Sequence, residues 1–236
     1  MQKKPVIFFL SKSGAGKDTQ ADLLVDEFGF DYFNTGDVFR ALRRKENFKK
    51  PLRSSIEFYE AQGITRIIDK GRFVPTLCVV CHWRNALLVL ARNHQQSKGI
   101  VLVGVARKIG EAMALHDFFE TWPDAKKHFR LVPILINVSD KEVTRRLLAR
   151  RQCVGCGKVI VGFTAEAALM ACPKCGGHLM RRKDDTRPAI ASRLREYRKY
   201  VAPVLNYFRA QNILITVNGE QSIEAVHKEV TRRIKL

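Results

Sequence analysis

An α/β fold is what the sequence predicts: a parallel five-stranded sheet flanked by helices, with two inserted lobes. Three observations predict it. Short apolar runs suited to buried strands recur at residues 6–10, 32–33, 99–105, 131–138 and 213–217. Helical stretches separate them, which implies parallel pairing through right-handed crossovers and a sheet covered on both faces. The first strand runs directly into a small-residue loop, at the sheet edge where ligands bind in such folds.

That loop, Ser11-Lys12-Ser13-Gly14-Ala15-Gly16-Lys17-Asp18-Thr19, suits phosphate. Phosphate oxygens need converging backbone N–H groups, so side chains must be nearly absent where the chain curls, and Gly14, Ala15 and Gly16 meet that need. Lys17 adds a mobile positive charge. The helix expected to run from there to residue 28 adds unpaired N–H groups and the positive end of its dipole. The loop departs from the strict G-x-x-x-x-G-K-[ST] pattern at Ser11 and Asp18. It still points to the phosphate-loop NTPase type of α/β fold.

The remaining elements follow in order. The weak strand at 32–33 leads into Thr35-Gly36-Asp37, which can cap a helix over 38–44. Residues 45–70 are more polar and read as a small helical lobe. Pro75 opens a long helix to about residue 94, with Leu77, Val80, Cys81, Leu87, Leu88 and Ala91 as its apolar face. After the strand at 99–105 come a helix at 108–114, a strand at 131–138 that tolerates Pro133, and a helix at 141–151. Asp184-Asp185-Thr186 with Pro188 reads as the cap of a long helix to about residue 208, and a helix over 222–234 closes the chain. The boundaries expected are a core of residues 1–35, 72–151 and 182–236, one lobe at 36–71 and another at 152–181.

With 236 residues the chain suits one sizeable core with insertions, and a hydrophobic content of 46% excludes general disorder. No apolar run is long enough for a membrane span and no signal-peptide core precedes the first strand, so a cytoplasmic protein without membrane association is expected. Lysine and arginine number 42 against 23 acids, a net charge of +19. Such a balance attracts polyanions, and weak non-specific nucleic-acid binding is expected from it. Much of this charge is an ordinary solvated surface.

The six cysteines form three C-x-x-C pairs. Cys153, Cys156, Cys172 and Cys175 give C-x2-C-x15-C-x2-C with Gly157 and Gly176 just after each pair, the pattern of a closed tetrahedral zinc site made of four thiolates. The segment has little apolar material, so metal should hold it together. Cys78 and Cys81 lie in a helical stretch and read as small core residues.

Over its full length the sequence resembles the adenylate kinases that carry a zinc-bearing lid. Ser13-Gly14-Ala15-Gly16-Lys17-Asp18-Thr19-Gln20 is similar to the family's phosphate loop, Asn34-Thr35-Gly36-Asp37-Val38-Phe39-Arg40 to its acceptor motif, and Gly71-Arg72-Phe73-Val74-Pro75 to the closing edge of the acceptor lobe. Leu102-Val103-Gly104-Val105-Ala106-Arg107 stands where the family has its D-G-F-P-R run, and Arg146-x3-Arg150-Arg151, Arg182-Lys183-Asp184-Asp185 and Arg193-Leu194-x2-Tyr197 also match. The resemblance implies transfer of the terminal phosphoryl of magnesium-ATP to AMP by a monomer, with 36–71 as the acceptor lobe and 152–181 as the zinc lid. It implies Ser13 through Thr19, with Arg146 and Arg150, on the donor triphosphate. Arg182 and Arg193 would surround the transferring group and reach the acceptor, and Thr35, Arg40, Val74, Gly104, Arg107 and Glu111 would hold the acceptor monophosphate. Guanidinium forks suit such work because they bind phosphate oxygens in pairs.

Four departures bear on function. Val103 replaces an aspartate that in the family helps orient hydrated Mg2+, while Asp18 replaces a glycine and either takes over that carboxylate role or faces solvent. Val105-Ala106 replaces a Phe-Pro pair. Glu111 replaces a glutamine that reads adenine; ionised, it offers acceptors only, which relaxes discrimination against GMP while AMP remains the expected acceptor. Asp184 and Asp185 either orient lid and arginines or cap the next helix. A second class is a nucleotide-regulated RNA-binding or assembly protein with weak transfer activity, favoured by Val103, the zinc lobe and the charge of +19.

Overall fold

The computed structural model describes residues 3–36, 38–39, 62–67, 73–92, 98–160, 169–182 and 185–235. In chain order its elements are β1 (Lys4–Ser11), α1 (Lys17–Phe28), β2 (Asp31–Asn34), α2 (Thr76–Arg92), β3 (Ile100–Val103), α3 (Ile109–Thr121), α4 (Pro123–His128), β4 (Phe129–Asn137), α5 (Asp140–Ala149), β5 (Arg151–Cys153), β6 (Val159–Ile160), β7 (Leu179–Arg181), α6 (Arg187–Glu196), a π-helical turn (Tyr197–Val201), α7 (Ala202–Ala210), β8 (Ile215–Asn218) and α8 (Ile223–Ile234).

The main sheet has five strands in the order β2-β3-β1-β4-β8, all parallel, as expected. β1 is central because six of its eight residues are buried. Alternation along it feeds two separate cores. Val6, Phe8 and Leu10, with Ile100 and Leu102 of β3, face Trp83, Leu87, Leu115, Phe119 and Phe208 from α2, α3 and α7. Ile7 and Phe9, with Val101 and Val103, face Ala21, Leu24, Val143, Leu147, Val226 and Val230 from α1, α5 and α8. Each large side chain so buried stabilises the fold by about 1.5–3 kcal/mol. Pro133 lies level with Phe8, one residue before β8 begins to pair at Ile134, so its missing N–H costs little there.

The chain leaves β1 towards β2 and β3 on one side and β4 on the other, so the carboxyl end of β1 is the switch point of the sheet. The phosphate loop begins there.

Several local expectations are corrected. The core face of α2 is Val79, Trp83 and Leu87, whereas Leu77 is 74% exposed and Cys81 is also exposed. Trp83 decides this: burying the largest side chain rotates the helix so that, of the face read from the aliphatic residues, Leu87 stays in the core and Val80 packs at its margin. Helix α4, opened by Pro123 at its first turn, was not anticipated. Residues 187–210 do form one long helical stretch, but with a π turn just before Pro203. Proline cannot donate to the preceding turn, and the wider turn accommodates that loss. The four-cysteine segment holds a small antiparallel sheet, β6-β5-β7, over a core of Cys153, Ile160, Cys172 and Leu179. Most of residues 37–72, together with Asp184, lie outside the described residues.

Candidate active site

The phosphate loop curls as its glycines allow. Gly14 and Gly16 hold φ of 87° and 101°, left-handed values that side chains resist. A Cβ on Gly14 would stand 2.8 Å from Leu147 Cγ, so the loop is pressed onto α5, whereas one on Gly16 would meet nothing within 4 Å. Open space therefore lies over Gly16, at the N-cap of α1, whose first N–H groups have no side-chain cap. This is a cradle for an anion. Two contacts that sequence reading missed fasten it: Lys12 Nζ donates to the Val138 carbonyl at 2.7 Å and meets Asp140 at 2.6 Å.

Beside the cradle, Lys17 Nζ donates to Asp18 Oδ2 at 2.7 Å. The Asp18 side chain is 62% exposed, so it faces solvent beside the cradle. Desolvation pushes its carboxyl up, but the charge and hydrogen bond of Lys17, with Arg107 and Arg150 further off, bring it below its ordinary value. Asp18 thus stands in the field of Lys17, Arg107 and Arg150 together. Arg146 is 5% exposed and sits under the loop. It donates to Glu142 at 2.7 Å, to the Gly219 carbonyl at 2.8 Å and to the Ala15 carbonyl at 3.5 Å. With Gly16, Thr19 and Gln221 it lines a crevice alongside the cradle.

Asp185 resolves one ambiguity. Its side chain is 3% exposed and accepts both Arg150 Nε at 2.8 Å and Arg150 Nη2 at 2.7 Å, with Arg193 Nη1 at 2.9 Å. It orients the arginines, and capping of α6 falls to Thr186, whose hydroxyl accepts from Ala189 N. One carboxylate between two guanidiniums leaves a net positive charge on the cluster, and Arg150 is among the charges acting on Asp18 beside the cradle. Arg182 lies just beyond β7, and its carbonyl accepts the Asp185 N–H at 3.2 Å.

At the ends of β2 and β3, Thr35, Gly104 and Arg107 come together. A Cβ on Gly104 would be 3.2 Å from Arg107 Nη2 and 3.5 Å from Thr35 Cβ. Thr35 is buried, and its hydroxyl has no partner among the described residues, an orphan that a ligand would satisfy. The Arg107 guanidinium lies 5.8 Å from the Phe73 ring. Val74 is buried beside it. Arg40 falls outside the described residues.

Glu111 is buried, but the backbone occupies it: Oε2 accepts Arg107 N at 2.8 Å and Lys108 N at 3.4 Å, tying down the start of α3. Burial raises its carboxyl above the ordinary value, partly offset by those N–H groups and the charges of Lys108 and Arg107. Val103 is 3% exposed, an apolar end to β3.

In the other insertion the four cysteine sulfurs lie within 4.8 Å of one another. Cys153 Sγ is 3.5 Å from Cys175 Sγ, and Cys156 Sγ 3.6 Å from Cys172 Sγ. Tetrahedral zinc with Zn–S bonds of about 2.3 Å needs sulfurs about 3.8 Å apart, so the donor set fits that ion. The Cys156 N–H donates to the Cys153 sulfur at 3.5 Å, a contact that favours the thiolate a metal needs.

A cradle at the switch point of a parallel sheet, with cations converging over it, defines the phosphate-loop class of nucleotide-binding proteins. No helix among the described residues is long and apolar enough to cross a membrane. A family model described as "Adenylate kinase" matches residues 9–213. The chain is 34% identical over 227 residues to the adenylate kinase of Methanocella arvoryzae, covering 94% of each chain. It is 31% identical over 226 residues to that of Clostridium botulinum strain Hall, covering 95% of this chain and 96% of the relative. Against the adenylate kinase of Halobacterium salinarum it is 31% identical over 231 residues, with 98% and 96% covered. The chain belongs to the adenylate kinase family, the nucleoside monophosphate kinases.

Proposed function

We propose that this protein transfers the terminal phosphoryl group of magnesium-ATP to AMP, giving two ADP. The observation that carries the reading is that Asp18, at the Gly16 cradle, lies within reach of the charges of both Arg150, in the Arg150-Asp185-Arg193 cluster, and Arg107, in the Thr35-Gly104-Arg107 group at the ends of β2 and β3. The donor triphosphate rests on residues Ser13 to Thr19, with Lys17 and Arg150 on its outer phosphates and Arg146 holding the loop from below. Arg182 and Arg193 neutralise the charge of the transferring group, and Arg107 with Arg40 holds the acceptor phosphate. Transfer of this kind is mainly positioning and charge stabilisation, so a preset arginine cluster is the main contribution of the protein.

Mg2+ supplies further charge neutralisation on the donor phosphates when bound. With Val103 buried and apolar and Asp185 taken up by Arg150 and Arg193, Asp18, exposed beside the cradle, is the carboxylate that would meet its hydration shell. Residues 36–71 serve as the acceptor lobe. Residues 152–181 serve as a lid stiffened by zinc on Cys153, Cys156, Cys172 and Cys175, excluding water that would otherwise accept the phosphoryl group.

The test is a coupled assay of ADP formation from ATP with AMP, GMP, CMP and UMP. Turnover highest with AMP is the expected result. The buried valine at the end of β3 and the net charge of +19 favour a second reading, a nucleotide-regulated binding protein. Absence of turnover with all four acceptors would select it.

A further inference from the structure

Residue 108 stands on the turn that carries Gly104 and Arg107, and no role follows for it from the motifs. Its side chain crosses to the opposite wall of the acceptor group: Lys108 Nζ donates to the Val74 carbonyl at 2.8 Å and lies 6.0 Å from the Tyr200 ring. Tyr200 in turn packs edge-on against Phe73, 5.6 Å between centroids. The ammonium therefore sits on the edge 73–75, within the same group as Thr35 with its unpartnered buried hydroxyl.

A residue that reads adenine must offer one donor and one acceptor side by side, because adenine presents an exocyclic amine next to a ring nitrogen acceptor. Glu111 offers no donor when ionised, and its Oε2 already serves two backbone N–H groups. The neighbouring pair supplies both functions. An ammonium has three hydrogens, of which the Val74 carbonyl takes one, and that carbonyl keeps a second lone pair.

We propose that Lys108 is the specificity-determining residue for the acceptor base: its Nζ donates to the ring nitrogen while the Val74 carbonyl accepts from the exocyclic amine. The assignment rests on the nucleoside monophosphate kinase reading above and names the base contact within it. Order matters in this pair. A 6-oxopurine reverses it, bringing a carbonyl to the Val74 carbonyl and a ring N–H to the ammonium, so two like groups face each other at both positions. Selectivity then follows from amine against oxo, without any contribution from Glu111.

The experiment measures kcat/KM for AMP, 1-deaza-AMP and inosine monophosphate with the wild-type protein, Lys108→Met and Lys108→Gln. The analogue 1-deaza-AMP lacks only the ring nitrogen that Nζ would meet. The wild type should lose about tenfold or more on going from AMP to 1-deaza-AMP, as expected for removal of a partner from a charged donor. Lys108→Met should turn over both equally, and its preference for AMP over inosine monophosphate should shrink. A tenfold gap of the same size in Lys108→Met would overturn the proposal and leave the lysine as a tie between residues 74 and 108. So would a wild type indifferent to the deaza substitution, a result that needs no variant to fold. Lys108→Gln, which keeps a donor, should retain part of the gap. Folded wild-type protein that turns over none of these acceptors would instead overturn the kinase reading on which the assignment stands.

Discussion

Replacing Gly14 by alanine separates two demands on the phosphate loop that a motif cannot distinguish. At φ of 87° an L-residue is disfavoured by about 1–2 kcal/mol. The added methyl would also stand 2.8 Å from Leu147 Cγ and 2.9 Å from its Cδ2, and Leu147, 1% exposed, has nowhere to swing. Overpacking of that kind costs about 1–3 kcal/mol, so Gly14→Ala should lose about 2–5 kcal/mol in all. Gly16→Ala meets nothing within 4 Å and carries only the backbone strain, about 1–2 kcal/mol. Its methyl would instead occupy the open space over Gly16, where the proposed donor phosphate would rest. Urea denaturation without nucleotide, paired with calorimetric ATP titration, should therefore show Gly14→Ala as the larger stability loss. Gly16→Ala should be the variant whose binding falls out of proportion to its stability. Combining Gly14→Ala with Leu147→Ala should recover about 1 kcal/mol or more relative to additivity, since the clash goes with the leucine. Equal destabilisation by the two alanines, with additive behaviour of the double variant, would refute the argument from packing.

Three further outcomes follow from the same geometry. Asp185→Ala should cost about 3 kcal/mol by leaving the largely buried Arg150 fork without its partner, and Asp185→Asn should cut turnover about a hundredfold by loosening both arginines. Melting temperatures and steady-state kinetics check this; near-normal values in both variants would refute the orienting role. Elemental analysis should find about one zinc equivalent on the wild type and none after Cys153→Ser with Cys172→Ser, and metal retained by that double variant would count against the four-thiolate site. The hydrogen bond from Arg145, then those from Arg146, pull the Glu142 carboxyl from 4.5 down to about 2. A depressed acid contributes stability that is fully present above its ordinary value and is lost as pH falls through the folded value. The stability difference between wild type and Glu142→Gln should therefore be constant above about pH 5 and shrink from there towards pH 2, as read by urea denaturation along that range. A difference flat with pH would show that the pair contributes nothing.

Sequence alone determined the parallel sheet, the cradle and the four-cysteine site. Each is written in a local pattern: alternating burial in residues 6–10, small residues where a loop must curl, and paired thiols at metal spacing. The family likeness likewise rests on contiguous runs of residues. Three other features were decided by tertiary structure. Aliphatic spacing placed Leu87 correctly but put Leu77 and Cys81 on the core face of α2, because the helix orients to bury Trp83 against the sheet, and only the packed sheet sets that demand. Asp185 carried two equal readings, capping and orienting, until a chain separation of 35 residues closed and brought Arg150 onto its carboxylate. Glu111 read as a base contact by its position, yet two N–H groups three and four residues before it take its oxygen. Lys108 was silent in the motifs because its partner, the Val74 carbonyl, is 34 residues away. Local pattern fixes what a segment can become. Which of several equally suited polar groups meets a given side chain depends on long-range packing, where desolvation makes one pairing far better than leaving either group alone.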